Sequence, residues 1–172
     1  MNIEQIKNTF SPLDINTGPG ADAYNPQVSE IVERNNVACI IRHPSENSFL
    51  ISKWKKVDWN GFLTGGIEEG SDKIETATQE LKEESGFLNI RKIVDMNFAS
   101  HGLFYHVIKN QNRLAHYNLV YIELENLERV EVSEEEKAIC DFVWVEESKV
   151  LETLTRNDMK YLFEFYQSNK NF

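Results

Sequence analysis

The sequence predicts an α/β sandwich, in which helices pack on both faces of a mixed β-sheet. Short apolar runs typical of buried strands are set among helical segments along the chain. The run at residues 117–124, YNLVYIEL, is apolar on both faces, as expected for a central strand covered from two sides. A helix with an apolar stripe and an acidic stripe follows the Gly65-Gly66 turn, so it can pack on this sheet.

Residues 1–35 differ from the rest of the chain and are predicted to form an N-terminal extension. They hold three of the four prolines and the run NTGPGADAYNP, which predicts turns and extended chain. This extension either wraps on the following domain or contributes to a homodimer. Residues 36–172 have the length of one compact domain.

The elements of this domain follow from local patterns. Asp72 and Glu75 have capping-box spacing at the start of the acidic helix, and Gly86 suits the left-handed position after its end. Short helices are predicted at residues 146–154 and 158–167, and the second directs Met159, Leu162, Phe163 and Tyr166 inward. The predicted strands are residues 37–42, 49–54, 59–63, 90–98, 105–108, 117–124 and 142–145, with a hairpin turn at 43–47 and a loop at 99–102.

The composition restricts the class of partner and the compartment. A formal net charge of -10 disfavours long nucleic acids, whose phosphates require clusters of Lys and Arg. A free nucleotide remains compatible, because a bound metal supplies positive charge locally. The N-terminus lacks the layout of a signal peptide, and no apolar run reaches membrane-spanning length. Cys39 and Cys140 lie in apolar runs and are expected to be reduced thiols, which predicts a cytoplasmic protein.

The acidic helix carries the most informative residues. Glu80, Glu83 and Glu84 have i, i+3 and i+4 spacing, so they project from one side of a helix. Hard cations such as Mg²⁺ prefer carboxylate oxygens together with water and phosphate. The alternative is a solvated acidic face, but the Gly-rich turn in front of the helix favours a metal site.

Residues 65–87, GGIEEGSDKIETATQELKEESGF, resemble the signature of the Nudix hydrolases, G-x5-E-x7-R-E-U-x-E-E-x-G-U, where U is a bulky aliphatic residue. Two positions differ, since Ser71 replaces the early Glu and Gln79 replaces the Arg. We hypothesise that Ser71 and Gln79 keep a neutral contact in place of the family's ion pair. Phe87 occupies the last bulky position, and the positions in register are Gly65, Glu80, Leu81, Glu83, Glu84 and Gly86.

The resemblance implies a Nudix fold and a Mg²⁺-dependent pyrophosphohydrolase that cleaves the pyrophosphate of a nucleoside diphosphate linked to another group. Mn²⁺ is a possible substitute. Glu80, Glu83 and Glu84 are the implied metal ligands, with Glu83 and Glu84 as catalytic residues. In the family the general base moves between this motif and a distant loop, and we choose Glu136 from the run VSEEEKAI. A solvated charge run is the alternative for those glutamates.

Substrate contacts are expected in front of the motif, in KWKKVDWNGF. Trp54 and Trp59 are candidates for stacking on a nucleobase, although core packing would explain either. Lys55, between Lys53 and Lys56, is a candidate for binding phosphate. The backbone at Gly65 and Gly66 is expected to approach the substrate, although a tight turn also explains these glycines.

A second resemblance keeps other functions open. VERNNVACII, KWKKVDWNGF, FYHV, NRLAHYN and SEEEKAICDFVWV are similar to a Nudix-like module of some bacterial leucyl-tRNA synthetases. This similarity implies a catalytically weak or inactive module that binds a nucleotide or docks on a translation protein. A structural dimerisation domain is a third alternative, but it leaves the glutamates unexplained.

Overall fold

The computed structural model describes residues 1–171 and shows a sandwich built on one eight-stranded mixed sheet. The strand order is β1-β6-β7-β2-β3-β4, while β5 pairs with β2 and β8 pairs with β3. The strands are β1 (Leu13–Ile15), β2 (Ile31–Arg42), β3 (Ser48–Trp54), β4 (Asn60–Gly61), β5 (Leu63–Gly66), β6 (Ile90–His106), β7 (Gln111–Leu124) and β8 (Cys140–Glu146).

Strand β2 lies at the centre of the sheet and separates two apolar layers. It pairs with β7 in parallel and with β5 in antiparallel orientation. Successive side chains of a strand point to opposite faces. Val37, Cys39 and Ile41 therefore join one core cluster, while Ala38 and Ile40 join the other, and all five are fully buried.

Helices cover both faces, which confirms the predicted α/β sandwich. Helix α2 (Lys73–Glu80) and the π-helical turn Leu81–Ser85 that extends it pack Ala77 and Leu81 on the first face. Helices α4 (Glu147–Thr153) and α5 (Asn157–Asn169) cover the other face. The four residues predicted to point inward from α5 are buried: Met159, Leu162, Phe163 and Tyr166. No helix within residues 1–171 is long and apolar enough to cross a membrane.

The N-terminal segment is docked on the sheet through its own small core. Helix α1 (Ile3–Thr9) buries Ile6 against Leu103 and Leu114, and β1 extends the sheet by pairing in parallel with β6. Strand β2 begins at Ile31, so the domain boundary predicted at residue 35 falls inside this strand.

The prediction of a loop at residues 99–102 is wrong, because β6 continues through these residues. Small and polar residues suggested a break, but Ser100 is fully buried and the strand pairs with β7 on either side. A Cβ at Gly102 would overlap the carboxylate of Asp158, which lies fully buried beside the guanidinium of Arg156. Gly102 is therefore a packing residue within a strand and does not mark a turn.

A histidine pair lies under the N-terminal segment. The Nδ1 atoms of His101 and His116 are 2.8 Å apart, and Phe10 covers both rings at centroid distances of 4.9 and 4.8 Å. Burial and the neighbouring His116 lower the pKa of His101 to about 4. An Nδ1–Nδ1 hydrogen bond needs one protonated and one free nitrogen, so a second proton would break it.

Acid should therefore loosen the N-terminal segment. A histidine whose pKa is lower in the folded state favours unfolding once the unfolded chain binds the proton. Stability is thus complete above the ordinary pKa of 6.5 and is lost as the pH falls towards about 4. The amide protection factors of residues 3–10, corrected for the intrinsic exchange rate at each pH, should fall over this range. His101→Asn should reduce this pH dependence, and equal protection factors at pH 7 and pH 4.5 would contradict the assignment.

Candidate active site

The site begins where β5 passes close to α2. A Cβ at Gly65 would overlap the Glu80 side chain, so the absence of a side chain at this position makes room for that carboxylate. Nothing lies within 4 Å of a Cβ built at Gly66. Of the two glycines expected to approach the substrate, Gly65 is thus required by packing against the acidic helix, and Gly66 faces open space.

The acidic helix is capped at both ends as the sequence predicted. The Asp72 carboxylate accepts hydrogen bonds from the backbone N–H groups of Ile74 and Glu75, and Gly86 has a left-handed φ of 79°. The turn that carries Glu83 and Glu84 is π-helical, so its residues are wound more widely than the predicted α-helical spacing. Such turns occur frequently at functional sites.

Glutamates from two elements influence one another at the end of this helix. Burial raises the pKa of Glu84 to about 8, and repulsion from Glu80 and Glu136 adds to the shift. Burial raises the pKa of Glu80 to about 7, with repulsion from Glu83 and Glu136 as further causes. Glu136 lies on α3 (Glu134–Lys137), which contacts the π-helical turn. The fold thus brings together the four glutamates that the sequence singled out.

These carboxylates share a surface but do not converge on one point. Within residues 1–171, no three His, Cys, Asp or Glu side chains are grouped so that they could hold a metal ion. Glu83 is engaged within its own helix, since its Oε1 accepts a hydrogen bond of 2.9 Å from Nε2 of Gln79. No hydrogen bond joins Ser71 to Gln79 in the part of the chain described, so the hypothesised neutral contact is wrong and Gln79 binds Glu83 instead.

The donor chemistry nevertheless fits a hard divalent cation. Carboxylate oxygens are the ligands that Mg²⁺ prefers, and a cation would relieve the repulsion that raises the pKa values of Glu80 and Glu84. Convergence requires side-chain rotation, above all at Glu83. The predicted ligand set of Glu80, Glu83 and Glu84 is thus chemically suited to a metal and stays a prediction.

An aromatic pocket of about 320 Å³ lies beside Thr64 of β5, and Gly65 and Gly66 continue this strand instead of forming the predicted turn. The pocket wall includes Trp54 and Trp59, whose rings stack at 5.3 Å and 15°; Trp59 also packs against the core, whereas Trp54 is exposed. Thr64, directly before Gly65, also lines the pocket. Phe104, Ala115 and Tyr117 of the wall belong to the core layer covered by α4 and α5, so the pocket lies on the face of the sheet opposite to the acidic helix, with Thr64 and Gly65 as neighbouring residues of β5.

Lys56 lines the aromatic pocket, whereas Lys55, which was predicted to bind phosphate, does not. Nζ of Lys55 lies 2.9 Å from Asp141 and donates to the backbone carbonyl of Lys137 at 2.6 Å. Lys55 therefore ties the turn after β3 to the segment that carries Glu136, whereas Lys56 lines the pocket. Phosphate binding by Lys55 stays a prediction, and Lys56 has the better position for it.

Several pocket residues were missed at the sequence level. Alternate residues of β7 line the pocket, namely Arg113, Ala115 and Tyr117. This period of two was available in the sequence, but a strand has two faces and the pattern does not say which one meets a ligand. The others missed are Asp22, Asn36, Val57, Phe104, Tyr105, His106, Val107, Ile108 and Ile139.

A second cleft, of about 520 Å³, is larger but polar and lies elsewhere, between Arg42, Glu147 and Lys170. It contains none of the clustered glutamates and no residue of β5. The candidate active site is therefore the aromatic pocket together with the carboxylates at the end of the acidic helix.

Comparison with known proteins defines the class of this fold and site. The NUDIX domain family model matches residues 32–166, and the chain belongs to this family. The sequence-based identification as a Nudix-type hydrolase acting on phosphoanhydride bonds is thereby confirmed. No curated protein matches the chain at a significant level.

Three solved structures share the fold at low sequence identity. The E. coli dihydroneopterin triphosphate pyrophosphohydrolase is 13% identical with a TM-score of 0.61, covering 80% of this chain and 99% of its own. The C. elegans Ap4A hydrolase is 16% identical with a TM-score of 0.52, covering 80% and 98%. A NUDIX hydrolase from Nitrosomonas europaea is 13% identical with a TM-score of 0.51, covering 81% and 92%.

The two adjacent glycines provide a matched test of the site. In Gly65→Ala the new methyl group displaces Glu80, so we expect a loss of about 1–3 kcal/mol in the free energy of unfolding together with weaker Mn²⁺ binding. Gly66→Ala has open space and should stay within about 0.5 kcal/mol of the wild type. Urea unfolding and calorimetry measure both. Equal behaviour of the two variants would contradict the close approach of β5 to Glu80.

Proposed function

We propose that this chain is a Mg²⁺-dependent pyrophosphohydrolase that cleaves the pyrophosphate of a nucleoside diphosphate linked to another group. One observation carries the proposal: successive residues of β5 contact both parts of the site, since Gly65 makes room for Glu80 of the mutually repelling carboxylates and Thr64 lines an aromatic pocket of about 320 Å³. The carboxylates suit a cation that neutralises phosphate oxygens, and the pocket suits a flat base.

Each part of the site then has a role. Glu80, Glu83 and Glu84 would hold Mg²⁺, which would neutralise the pyrophosphate and activate water for attack on phosphorus. Glu136 would accept the proton from the attacking water, a role supported by its influence on the same cluster from a different element. Lys56 would contact the phosphates or the leaving group at the pocket mouth. The stacked Trp54 and Trp59 would position the base.

Two proteins of similar structure catalyse reactions of this type, since one is a hydrolase of dihydroneopterin triphosphate and the other a hydrolase of Ap4A. Both substrates carry phosphate chains attached to a flat ring system. At 13% and 16% identity the neighbours support the fold, and the reaction of this chain rests on its own glutamates. A cytoplasmic location and a homodimer stay predictions.

The second candidate is a weak or inactive nucleotide-binding module, including the role implied by similarity to the synthetase module. The observation that favours it is the hydrogen bond from Gln79 to Glu83, which occupies one carboxylate oxygen of a predicted metal ligand. In that case nucleotides would bind without turnover. Metal binding separates the two candidates, because hydrolysis requires it and base stacking does not.

Replacing single glutamates should weaken the metal site without unfolding the protein. Glu83→Gln and Glu84→Gln each remove one ligand and one charge, so Mn²⁺ affinity should fall by at least about tenfold, as it does when residues that merely support metal ligands are changed. The Glu84 variant should also unfold less readily in metal-free buffer at pH 8, because a repelling charge is gone. Glu135→Gln, on exposed α3, is the matched control. Unchanged Mn²⁺ affinity in both site variants, measured by calorimetry, would reject the assignment.

The role of Glu136 is separable from metal binding. If it accepts the proton from water, Glu136→Gln should lower kcat by about 10²–10⁴-fold. Mn²⁺ affinity should change by less than about threefold, because the residue is not assigned as a ligand. Glu135→Gln should leave both values unchanged. A Glu136 variant that keeps full turnover would place the base within the acidic helix, at Glu83 or Glu84.

A further inference from the structure

The wall of the aromatic pocket includes a residue from outside the family domain. Asp22 lies in the N-terminal segment, before the match to the NUDIX domain begins at residue 32, and yet it lines the pocket. Charged residues lining the pocket are otherwise cationic, namely Lys56 and Arg113. Within residues 1–171, Asp22 is thus the one carboxylate in the pocket wall.

Backbone contacts hold Asp22 in place on both sides. Its carbonyl accepts a hydrogen bond of 2.9 Å from the N–H of Tyr105, a pocket residue on β6. Upstream, the N–H of Asn16 donates to the carbonyl of Leu103 at 2.9 Å, continuing the pairing of β1. The segment is therefore fixed to the strand that forms the opposite side of the pocket wall.

A buried amide anchors the chain after Asp22. Asn112, fully buried, accepts from the N–H of Asn25 at 3.0 Å and donates to the carbonyls of Asn25 and Val28 at 2.8 and 2.7 Å. Three hydrogen bonds from one buried side chain specify the path of this turn. The position of Asp22 is consequently preorganised by the fold.

The carboxylate of Asp22 keeps hydrogen-bonding capacity for a ligand. Oδ2 accepts from Nδ2 of Asn16 at 2.9 Å, whereas Oδ1 lies beside Gly20, where a Cβ would come within 2.5 Å of it, and has no hydrogen-bond partner among residues 1–171. A carboxylate only accepts hydrogen bonds and repels phosphate, so its partner must be a donor at the end of the substrate away from the pyrophosphate. The stacked tryptophans at this end favour a flat ring as that donor.

We propose that Asp22 is a specificity-determining residue that binds the N–H edge of a guanine-type base. Among the nucleobases, guanine alone offers two adjacent donors, the ring N–H and the exocyclic amino group, in the geometry that a carboxylate accepts as a pair. The cationic wall at Arg113 would face the acceptors of the same ring. This assignment rests on the proposed function, because it places the substrate's base in the aromatic pocket.

Nucleotide binding tests the assignment without requiring turnover. Calorimetry with GMP, IMP, AMP, CMP and UMP compares ligands that share a phosphate, and IMP lacks only the amino group of guanine. The wild type should bind GMP about 10–100-fold more tightly than IMP. Asp22→Asn keeps an oxygen for Asn16 but loses the paired acceptors, so it should bind GMP and IMP equally. Its thermal unfolding should match the wild type, which separates recognition from folding.

Asp58→Asn is the matched control, since Asp58 is an exposed carboxylate between Val57 and Trp59 of the pocket and does not line it. It should retain the preference for GMP. Equal affinity of the wild type for GMP and IMP would overturn the proposal, as would an unchanged preference in Asp22→Asn. An Asp22 effect that disappears with 2′-deoxy-GMP would also overturn it and assign the carboxylate to the ribose. Absence of hydrolysis with this binding pattern intact would reject the proposed reaction and leave the role of Asp22 supported.

Discussion

The repulsion between glutamates at the end of the acidic helix is the constraint on which the site depends. Burial raises the pKa of Glu84 to about 8, and the charges of Glu80 and Glu136 oppose its ionisation further. The fold tolerates this crowding because Ala77 and Leu81, on the apolar side of the same helix, are buried in the core under β2. Apolar burial thus holds the carboxylates where a cation, rather than water alone, is the fitting partner.

The aromatic pocket depends on a second buried interaction, which joins the two ends of the chain. Arg156 and Asp158 form an ion pair of 2.9 Å at the start of α5, and Asp14 of β1 accepts from the backbone and side chain of Asn157. The Arg156 guanidinium lies 5.2 Å from the Trp59 ring and 5.0 Å from the Phe104 ring. A wall of the pocket is therefore supported by a charge pair that the N-terminal segment helps to enclose. Breaking one partner of a buried pair is strongly destabilising, so pocket shape and domain stability are coupled here.

Local sequence rules predicted the elements whose cause is local. The helix cap at Asp72, the left-handed Gly86 and the apolar run of β7 each depend on a few neighbouring residues. Gly102 led to the wrong prediction of a loop because a tertiary contact requires this glycine. The carboxylate of Asp158, distant in sequence, occupies the space that a side chain at residue 102 would need. The Gln79 contact with Glu83, in contrast, follows from i, i+4 spacing on a helix and was available in the sequence, although the π-helical form of the turn that carries Glu83 was not.

The two halves of the site differ in how far sequence determines them. The carboxylate end is built from one helix and Gly65 of β5, so a short motif carries nearly all of it, with Glu136 added from a neighbouring element. The pocket end gathers residues from the N-terminal segment, the turn after β3, and strands β5, β6 and β7. No local sequence pattern can predict this pocket, because its residues come together only when the strands are paired. The reaction type and the choice of substrate are thus separate properties of this chain. The reaction type is shared with the family, whereas we propose that substrate choice depends on the segment carrying Asp22, which lies before the family's domain.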